Sequence, residues 1–418
     1  MRRIAVLVTA LGIALSAVAS PPAAAQEPRL RAKAALVMEA STGDVLLARN
    51  SRERRPMAST TKLMTALVTI ERSDLDDVFS APGYDPAPAE TQIGLRSGER
   101  MSVRDLLRAL LLASANDAAV TLAVGTLGSQ DAFVEEMNRR AAALGLRDTS
   151  FANPIGLDEA GNRSSARDLA RLAIRLRRNE FFRSTVDLRQ TVLRSAARRR
   201  TVLNRNTLVR RFGFVDGVKT GHTRQAGYVL VGSATRRGVN VVSVVMGEPS
   251  ERARDEDSLA LLRHGLRSYE RRTILPEGRV VGRVGLKFRD GRSIPVVAGA
   301  TYRRVVRAGQ RPSVAVTGLP EEVDGPLPRG SKVGTAIVRQ GGKELERVAL
   351  VTARPVAEAG LGDRLNDFAG RSLTWIAVVA LLVCSLPLMV LRNRVVRRRH
   401  ALDAEDRRAG RREQAPVP

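Results

Sequence analysis

Three short groups of residues stand in one order along the chain: Ser59-Thr60-Thr61-Lys62, Ser114-Ala115-Asn116 and Lys219-Thr220-Gly221. A hydroxyl with a lysine three residues on has the makings of an activated nucleophile. Serine is a poor nucleophile until a base takes its proton, and lysine serves as that base once burial lowers its pKa. Residues three apart share a helix face, so a helix opening at Ser59 brings Lys62 within reach of the hydroxyl. Met57, Leu63, Met64 and Leu67 supply apolar surroundings, and a helix N-terminus favours developing negative charge. Read alone, the group is better explained by an N-cap serine followed by a surface lysine.

The second group follows an apolar helical stripe, where a hydroxyl and an amide at i and i+2 on a turn aim into one cleft. Ser114 would relay a proton and Asn116 would hold a substrate carbonyl, while Asp117 would fix the loop by local hydrogen bonds. An ordinary C-terminal turn has the same composition. The third group leads into a strand, where alternate side chains face one way. Lys219 would supply positive potential, Thr220 a donor for an anionic terminus, and Gly221 room for a ligand backbone. A lone S-x-x-K is expected by chance roughly once or twice in a chain of this length. All three in this order, the last followed by His222-Thr223 and an alternating strand, are much harder to reach by accident.

The elements that would carry these groups are readable. Ala34 to Met38 and Val45 to Ala48 form a hairpin around Ser41-Thr42-Gly43-Asp44. A helix runs from Ser59 to Glu71. A second begins at Ser102, with Asp105 completing a capping box and Leu106, Leu107, Leu110 and Leu111 buried. Phe133 to Leu146 is a third helix, and Ser165 to Leu176 a fourth with an S-x-x-D start. Tyr228 to Ala234 and Val239 to Met246 form another hairpin across Arg236-Arg237-Gly238, and Asp255 to Tyr269 is a closing helix. Strands at both ends with helices between predict an α+β plan, one antiparallel sheet flanked by helices. After Leu275-Pro276-Glu277-Gly278 the helical period disappears. Short alternating runs to about Val356 predict a small all-β domain, with spacer as its default role.

The chain ends bound where such a protein works. Arg2 and Arg3, an apolar run from Ile4 to Val18 and Ala23-Ala24-Ala25 before Gln26 read as a cleaved secretory signal. Leu373 to Leu391 carries no charge, has Trp375 near its start and is followed by Arg392, Arg394, Arg397, Arg398 and Arg399. That is a membrane-spanning helix with its basic end cytoplasmic, and the body outside. Pro387 within it is tolerated better in a span than in a soluble helix. Cys384, the single cysteine, lies in this run, so the exported body has no disulfide; a domain of its size does without one. With His222, His264 and His400 the only histidines, and no cysteine cluster, zinc and other metal centres are not expected. The net charge of +26 invites a nucleic-acid reading, but 3% aromatic residues leave little for base stacking. Anionic wall polymers and lipid headgroups account for the charge instead.

Together these residues resemble the serine-type D-Ala-D-Ala carboxypeptidases, the low-molecular-mass penicillin-binding proteins. The likeness extends to Ser41-Thr42-Gly43, Asp105-Leu106-Leu107 to Ala119, Phe133 with Met137-Asn138 to Leu146, and Asn153-Pro154-Ile155-Gly156-Leu157. It continues through Asn204 to Asn206 and Asp216 to Thr223 with Ala226-Gly227-Tyr228, covering about residues 33 to 270 closely and the β domain loosely. The resemblance implies a β-lactamase/transpeptidase-like fold, in the order signal 1–25, carboxypeptidase domain 26–275, β-rich domain 276–360, linker 361–372, transmembrane helix 373–391 and basic cytoplasmic tail 392–418. It implies Ser59 as acylated nucleophile, Lys62 as general base and Ser114 as proton relay. Asn116 would position substrate, Lys219 and Thr220 would bind its carboxylate or tune the local potential, and Gly221 would lie against the bound substrate. The N–H groups of Ser59 and His222 would form the oxyanion hole, and Arg254, beside Arg252, would stand near the substrate carboxylate. No cofactor is implied. The expected partners are peptidoglycan stem peptides, β-lactams as inhibitors and the cytoplasmic membrane, with no nucleic acid. The anchoring differs from the amphipathic C-terminal helix of many family members.

Two readings compete. A class A β-lactamase shares the three groups but places a glutamate on a later loop to activate deacylating water. No E-x-x-L-N run follows Ser114; Glu135 and Glu136 come too early, and Glu159 lacks that context. A wall-binding protein with vestigial chemistry would lack part of the set, whereas all of it is present. Cleavage of D,D-crosslinks stays open, since the same acyl-enzyme arises from a crosslinked donor.

Overall fold

A strand as continuously apolar as Ala34 to Met38 needs cover on both faces. The computed structural model, which describes residues 27–87, 90–370 and 372–412, provides it. Five antiparallel strands lie in the order Val45–Arg49, Ala34–Glu39, Val239–Glu248, Gly227–Arg236 and Val215–Thr223. Successive side chains point to opposite faces, so Leu36, Val231, Val242 and Val244 enter one core while Val37, Leu230, Val241 and Val245 enter another. The second core is closed by the helix Glu251–Ser268, which contributes Leu261 and Leu262. The first is closed by Ala166–Leu176 and by the helical cluster that carries the first two motif groups. This is the α+β plan expected from the sequence.

The helical cluster holds one element that sequence reading missed. Asn116 does not end a turn; it opens a helix, Asn116–Leu127. Every residue from Asn116 to Ala123 is buried, so the segment shows no polar stripe from which a helical period can be read. The preceding helix, Val103–Arg108, continues through a π-turn, Ala109–Ala113, with Leu106, Leu107, Leu110 and Leu111 buried as expected. Burying each leucine stabilises the fold by about 1.5–3 kcal/mol. Only half of the capping box forms. Ser102 Oγ accepts from Asp105 N at 3.3 Å, but the Asp105 carboxylate accepts from the Arg194 and Ser195 N–H groups at 2.8 and 2.9 Å. It ties down a distant loop instead of its own helix end.

The remaining helices start slightly earlier than expected, at Gln130–Ala143 and Glu251–Ser268. The short elements Glu180–Asp187, Gln190–Leu193, Arg200–Leu203 and Thr207–Arg211 were not anticipated.

The chain forms two compact units, residues up to 272 with 304–310, and 273–303 with residues from 311 onward. The 304–310 segment, expected in the β domain, belongs to the first unit, where Arg307 Nε donates to Asp44 Oδ2 at 2.7 Å. The second unit holds a six-stranded sheet around Leu275, Val284, Val296, Val338 and Leu350. Its one parallel pair is Val280–Leu286 with Glu322–Val323. The stretch expected as a linker carries a helix, Leu361–Gly370, and the helix Ser372–Arg412 follows. Within it Thr374–His400, of mean hydropathy 2.5 and with none of its most apolar stretch buried, is long and apolar enough to cross a membrane. The expected signal, 1–25, and the last six residues of the tail lie outside the described residues.

Candidate active site

Ser59 sits in a tight turn, Ala58–Thr61, that leads into the helix Lys62–Arg72. Ala58 has a φ of +49°, a left-handed conformation that costs a non-glycine residue about 1–3 kcal/mol. Two glycines make room for this turn. A Cβ on Gly156 would lie 2.2 Å from Ala58 O, and one on Gly221 would lie 3.1 Å from Ser59 N. The edge strand carrying Lys219 and Gly221 therefore runs directly against the nucleophile's backbone. Ser59 is half-buried, and opens onto a cleft of about 1090 Å³ lined also by Glu90, Asn116, Gly156, His222 and Tyr228.

Lys62 is fully buried beneath Ser59. Its Nζ lies 3.1 Å from Ser59 Oγ, 2.6 Å from Asn116 Oδ1 and 2.5 Å from Ile155 O. A neutral lysine has two N–H groups and one lone pair. Two of its three neighbours are carbonyl oxygens, which only accept, so they take the N–H groups and leave the lone pair facing the Ser59 hydroxyl. Burial drives the Lys62 pKa down to about 7; Glu90 opposes this shift, Arg205 adds to it and Asp117 opposes it. Around neutral pH a substantial fraction of Lys62 is thus the free amine that a general base must be.

The Ile155 carbonyl is positioned by its own loop. Asn153 Oδ1 accepts from Gly156 N at 2.7 Å, and Thr65 Oγ1 donates to Pro154 O at 2.6 Å. The Asn153-Pro154-Ile155-Gly156 stretch is thereby a backbone ligand for the lysine.

Ser114 ends the π-turn with φ +63°, a second left-handed non-glycine residue at the site. Lys219 Nζ donates to Ser114 Oγ at 2.9 Å and to Thr220 O at 2.9 Å. Lys219 is 1% exposed. Burial, then the charges of Lys62, Arg205 and Arg254, hold its pKa well below the ordinary lysine value. It stands against Ser114, buried beside the cleft. Thr220 and Gly221 are buried beside it, and the His222 ring stacks on Tyr228 with centroids 4.0 Å apart.

Arg254 is not brought to the cleft wall. It is buried, and its guanidinium is held by Asp255 Oδ1 at 2.7 Å and Glu251 Oε1 at 2.8 Å. Arg252 points outward and pairs with Glu256 at 3.0 Å. Asp117 stays out of the chemistry, but the segment it fixes is a distant one and not its own loop: it accepts from Ile93 N at 3.1 Å and Leu95 N at 2.9 Å.

One carboxylate at the site had no sequence signal. Glu90 Oε2 accepts from Asn116 Nδ2 at 2.7 Å and from the Tyr84 hydroxyl. Partial burial works to raise its pKa, but the Tyr84, Asn116 and Ala87 hydrogen bonds and the Lys62 charge hold it below the usual value. Glu90 comes from an irregular segment with no periodicity, 26 residues from its partner.

The D-alanyl-D-alanine carboxypeptidase family matches residues 22–250, and the C-terminal domain of penicillin-binding protein 5 matches residues 269–358. The carboxypeptidase DacF of Bacillus subtilis is 30% identical over 79% of this chain and 87% of its own length. The Escherichia coli carboxypeptidase DacD is 34% identical over 83% and 92%. Among solved structures, penicillin-binding protein 6B of Escherichia coli superposes with a TM-score of 0.61 and 30% identity, covering 79% of this chain and 98% of that one.

Proposed function

The chain belongs to the D-alanyl-D-alanine carboxypeptidase family, and from that premise we propose that Ser59 carries its acyl-enzyme, with Lys62 as the base. The enzyme is a penicillin-binding serine peptidase that removes the terminal D-alanine from peptidoglycan stem peptides. Ser59 Oγ attacks the carbonyl of the penultimate D-alanine as its proton passes to the Lys62 lone pair. The oxyanion accepts from the N–H groups of Ser59 and His222, the interaction that usually contributes most to acyl transfer. Ser114 Oγ already accepts from Lys219, so its own O–H is free for the leaving amine; as it gives that proton up it is reprotonated from the Lys62 ammonium, D-alanine departs and Lys62 is neutral again. Water then attacks the ester, its proton passing to Lys62, which returns it to Ser59 Oγ as the ester bond breaks. Asn116 holds a substrate carbonyl with the N–H that Glu90 does not use.

The observation that carries this reading is the set of three contacts at Lys62 Nζ, two of them to carbonyls. The test is release of D-alanine from a soluble pentapeptide ending in D-Ala-D-Ala: Ser59→Ala abolishes it, and release by that variant refutes the assignment.

The signal at 1–25 exports the body, and the span 373–391 anchors it with residues 392–418 in the cytoplasm. Export before an uncharged run and an arginine cluster after it support this topology. The domain limits 26–275 and 276–360 describe the catalytic body and a spacer.

A further inference from the structure

The turn between two strands of the main sheet is built from Arg236, Arg237 and Gly238, and it borders a second cavity. That cavity, of about 960 Å³, is lined by Arg236, Arg237, Arg263, Arg267 and Arg271, and it shares no residue with the catalytic cleft. None of these five guanidiniums forms an ion pair or hydrogen bond with the protein among the described residues. The one carboxylate in the lining, Glu270, is within 3.3 Å of Arg272. Five like charges around one concavity repel one another, and most arginines that bind within a fold find a carboxylate.

The local backbone is arranged to hold them there. Arg237 has φ +50°, in a two-residue turn where asparagine or glycine would fit with less strain. Gly238, at φ +76°, leaves space that Arg271 occupies: a Cβ there would lie 2.7 Å from Arg271 Cδ. The Arg263 guanidinium is braced 5.4 Å from the Phe212 ring centre. Phe214 and Leu266 give the cavity an apolar floor.

We propose that this cavity is a binding site for a polyanion bearing several phosphate groups, a phosphodiester-linked chain of the cell envelope. Guanidinium forks match phosphate oxygens in pairs. Five unpaired cations call for several negative charges together, which a chain supplies and a single lipid headgroup does not. A strand also reaches the floor of a concavity that a flat membrane surface would only bridge. Bound there, the polymer would hold the enzyme beside its wall substrate without entering the catalytic cleft.

Sodium tripolyphosphate is the probe. The full chain in phosphatidylcholine nanodiscs is titrated calorimetrically, beside a variant carrying Arg263→Gln, Arg267→Gln and Arg271→Gln. The wild type is expected to bind, more weakly as salt rises, and the variant to lose roughly tenfold or more in affinity. Fluorescent-penicillin acylation stays equal in both, which reports an intact fold. Dioctanoyl phosphatidylglycerol, added below its micellar concentration, is expected not to displace the probe. Absence of binding by the wild type, equal affinity in the variant, or displacement by that lipid each overturns the proposal.

Discussion

Glu90 Oε2 accepts from Asn116 Nδ2 at 2.7 Å, and this bond decides which end of the Asn116 amide faces Lys62. With the nitrogen committed to Glu90, the oxygen is left to take an N–H from Lys62 at 2.6 Å. The pair thus keeps the lysine lone pair on Ser59, and the Glu90 charge also offsets part of the fall in the Lys62 pKa.

Glu90→Ala frees the Asn116 amide to rotate, and penicillin acylation is expected to slow roughly tenfold, the worth of a hydrogen bond to a charged group. Glu90→Gln keeps an acceptor for Asn116 and removes the charge, at the cost of the oxygen that accepts from Ala87 N. It should retain most of the rate while the pH midpoint of acylation moves downward. A midpoint that does not move in Glu90→Gln would remove the electrostatic half of this account.

The wild-type acylation rate is expected to rise with pH to a plateau, with its midpoint near the Lys62 value of about 7. The sign follows from the role: the base must be neutral, and protonation below the midpoint abolishes it. Because the folded-state pKa lies below the ordinary 10.5, stability also rises with pH between those values, where the unfolded chain holds the extra proton. Stopped-flow acylation across pH 5 to about 10 checks this; a rate climbing to the ordinary lysine range would show that Lys62 is not the base.

Gly156→Ala places a methyl on the Ala58 carbonyl, and is expected to destabilise the fold by about 1–3 kcal/mol and to impair acylation. Gly161 has a similar φ, +91°, but nothing within 4 Å of an added Cβ. Gly161→Ala should therefore share the backbone strain and leave acylation normal. Equal acylation in the two variants would mean that the close approach does not position Ser59.

Much of the fold and of the site is legible in the sequence. The hairpins, the Ser102 and Ser165 caps and the three motif groups rest on local rules: alternation, side-chain-to-backbone bonds, and spacing on a helix. Asn116–Leu127 escapes because its first eight residues are buried on every side and show no amphipathic period. The partners of Lys62 escaped for a different reason. Ile155 contributes a backbone oxygen, which any residue could supply, and Glu90 meets Asn116 through tertiary folding alone. Arg254, which the resemblance sets near the substrate carboxylate, is held by Asp255 and Glu251 in the helix that closes the second core, and its charge is felt at Lys219.

Topology has its own test. Protease outside intact protoplasts is expected to digest residues 26 to about 370 and to spare an epitope placed after Pro418. Moving the arginines between Arg392 and Arg399 through the bilayer centre would cost about 2.5–3.5 kcal/mol each. An epitope accessible from outside would refute the cytoplasmic tail.

The most direct test of the central claim is mass spectrometry of the penicillin-treated protein with peptide mapping of the adduct. The account predicts one covalent penicilloyl group on Ser59, absent in Ser59→Ala and formed roughly 10²–10⁴-fold more slowly in a folded Lys62→Ala. An adduct on another residue, or an unchanged rate in Lys62→Ala, would contradict it.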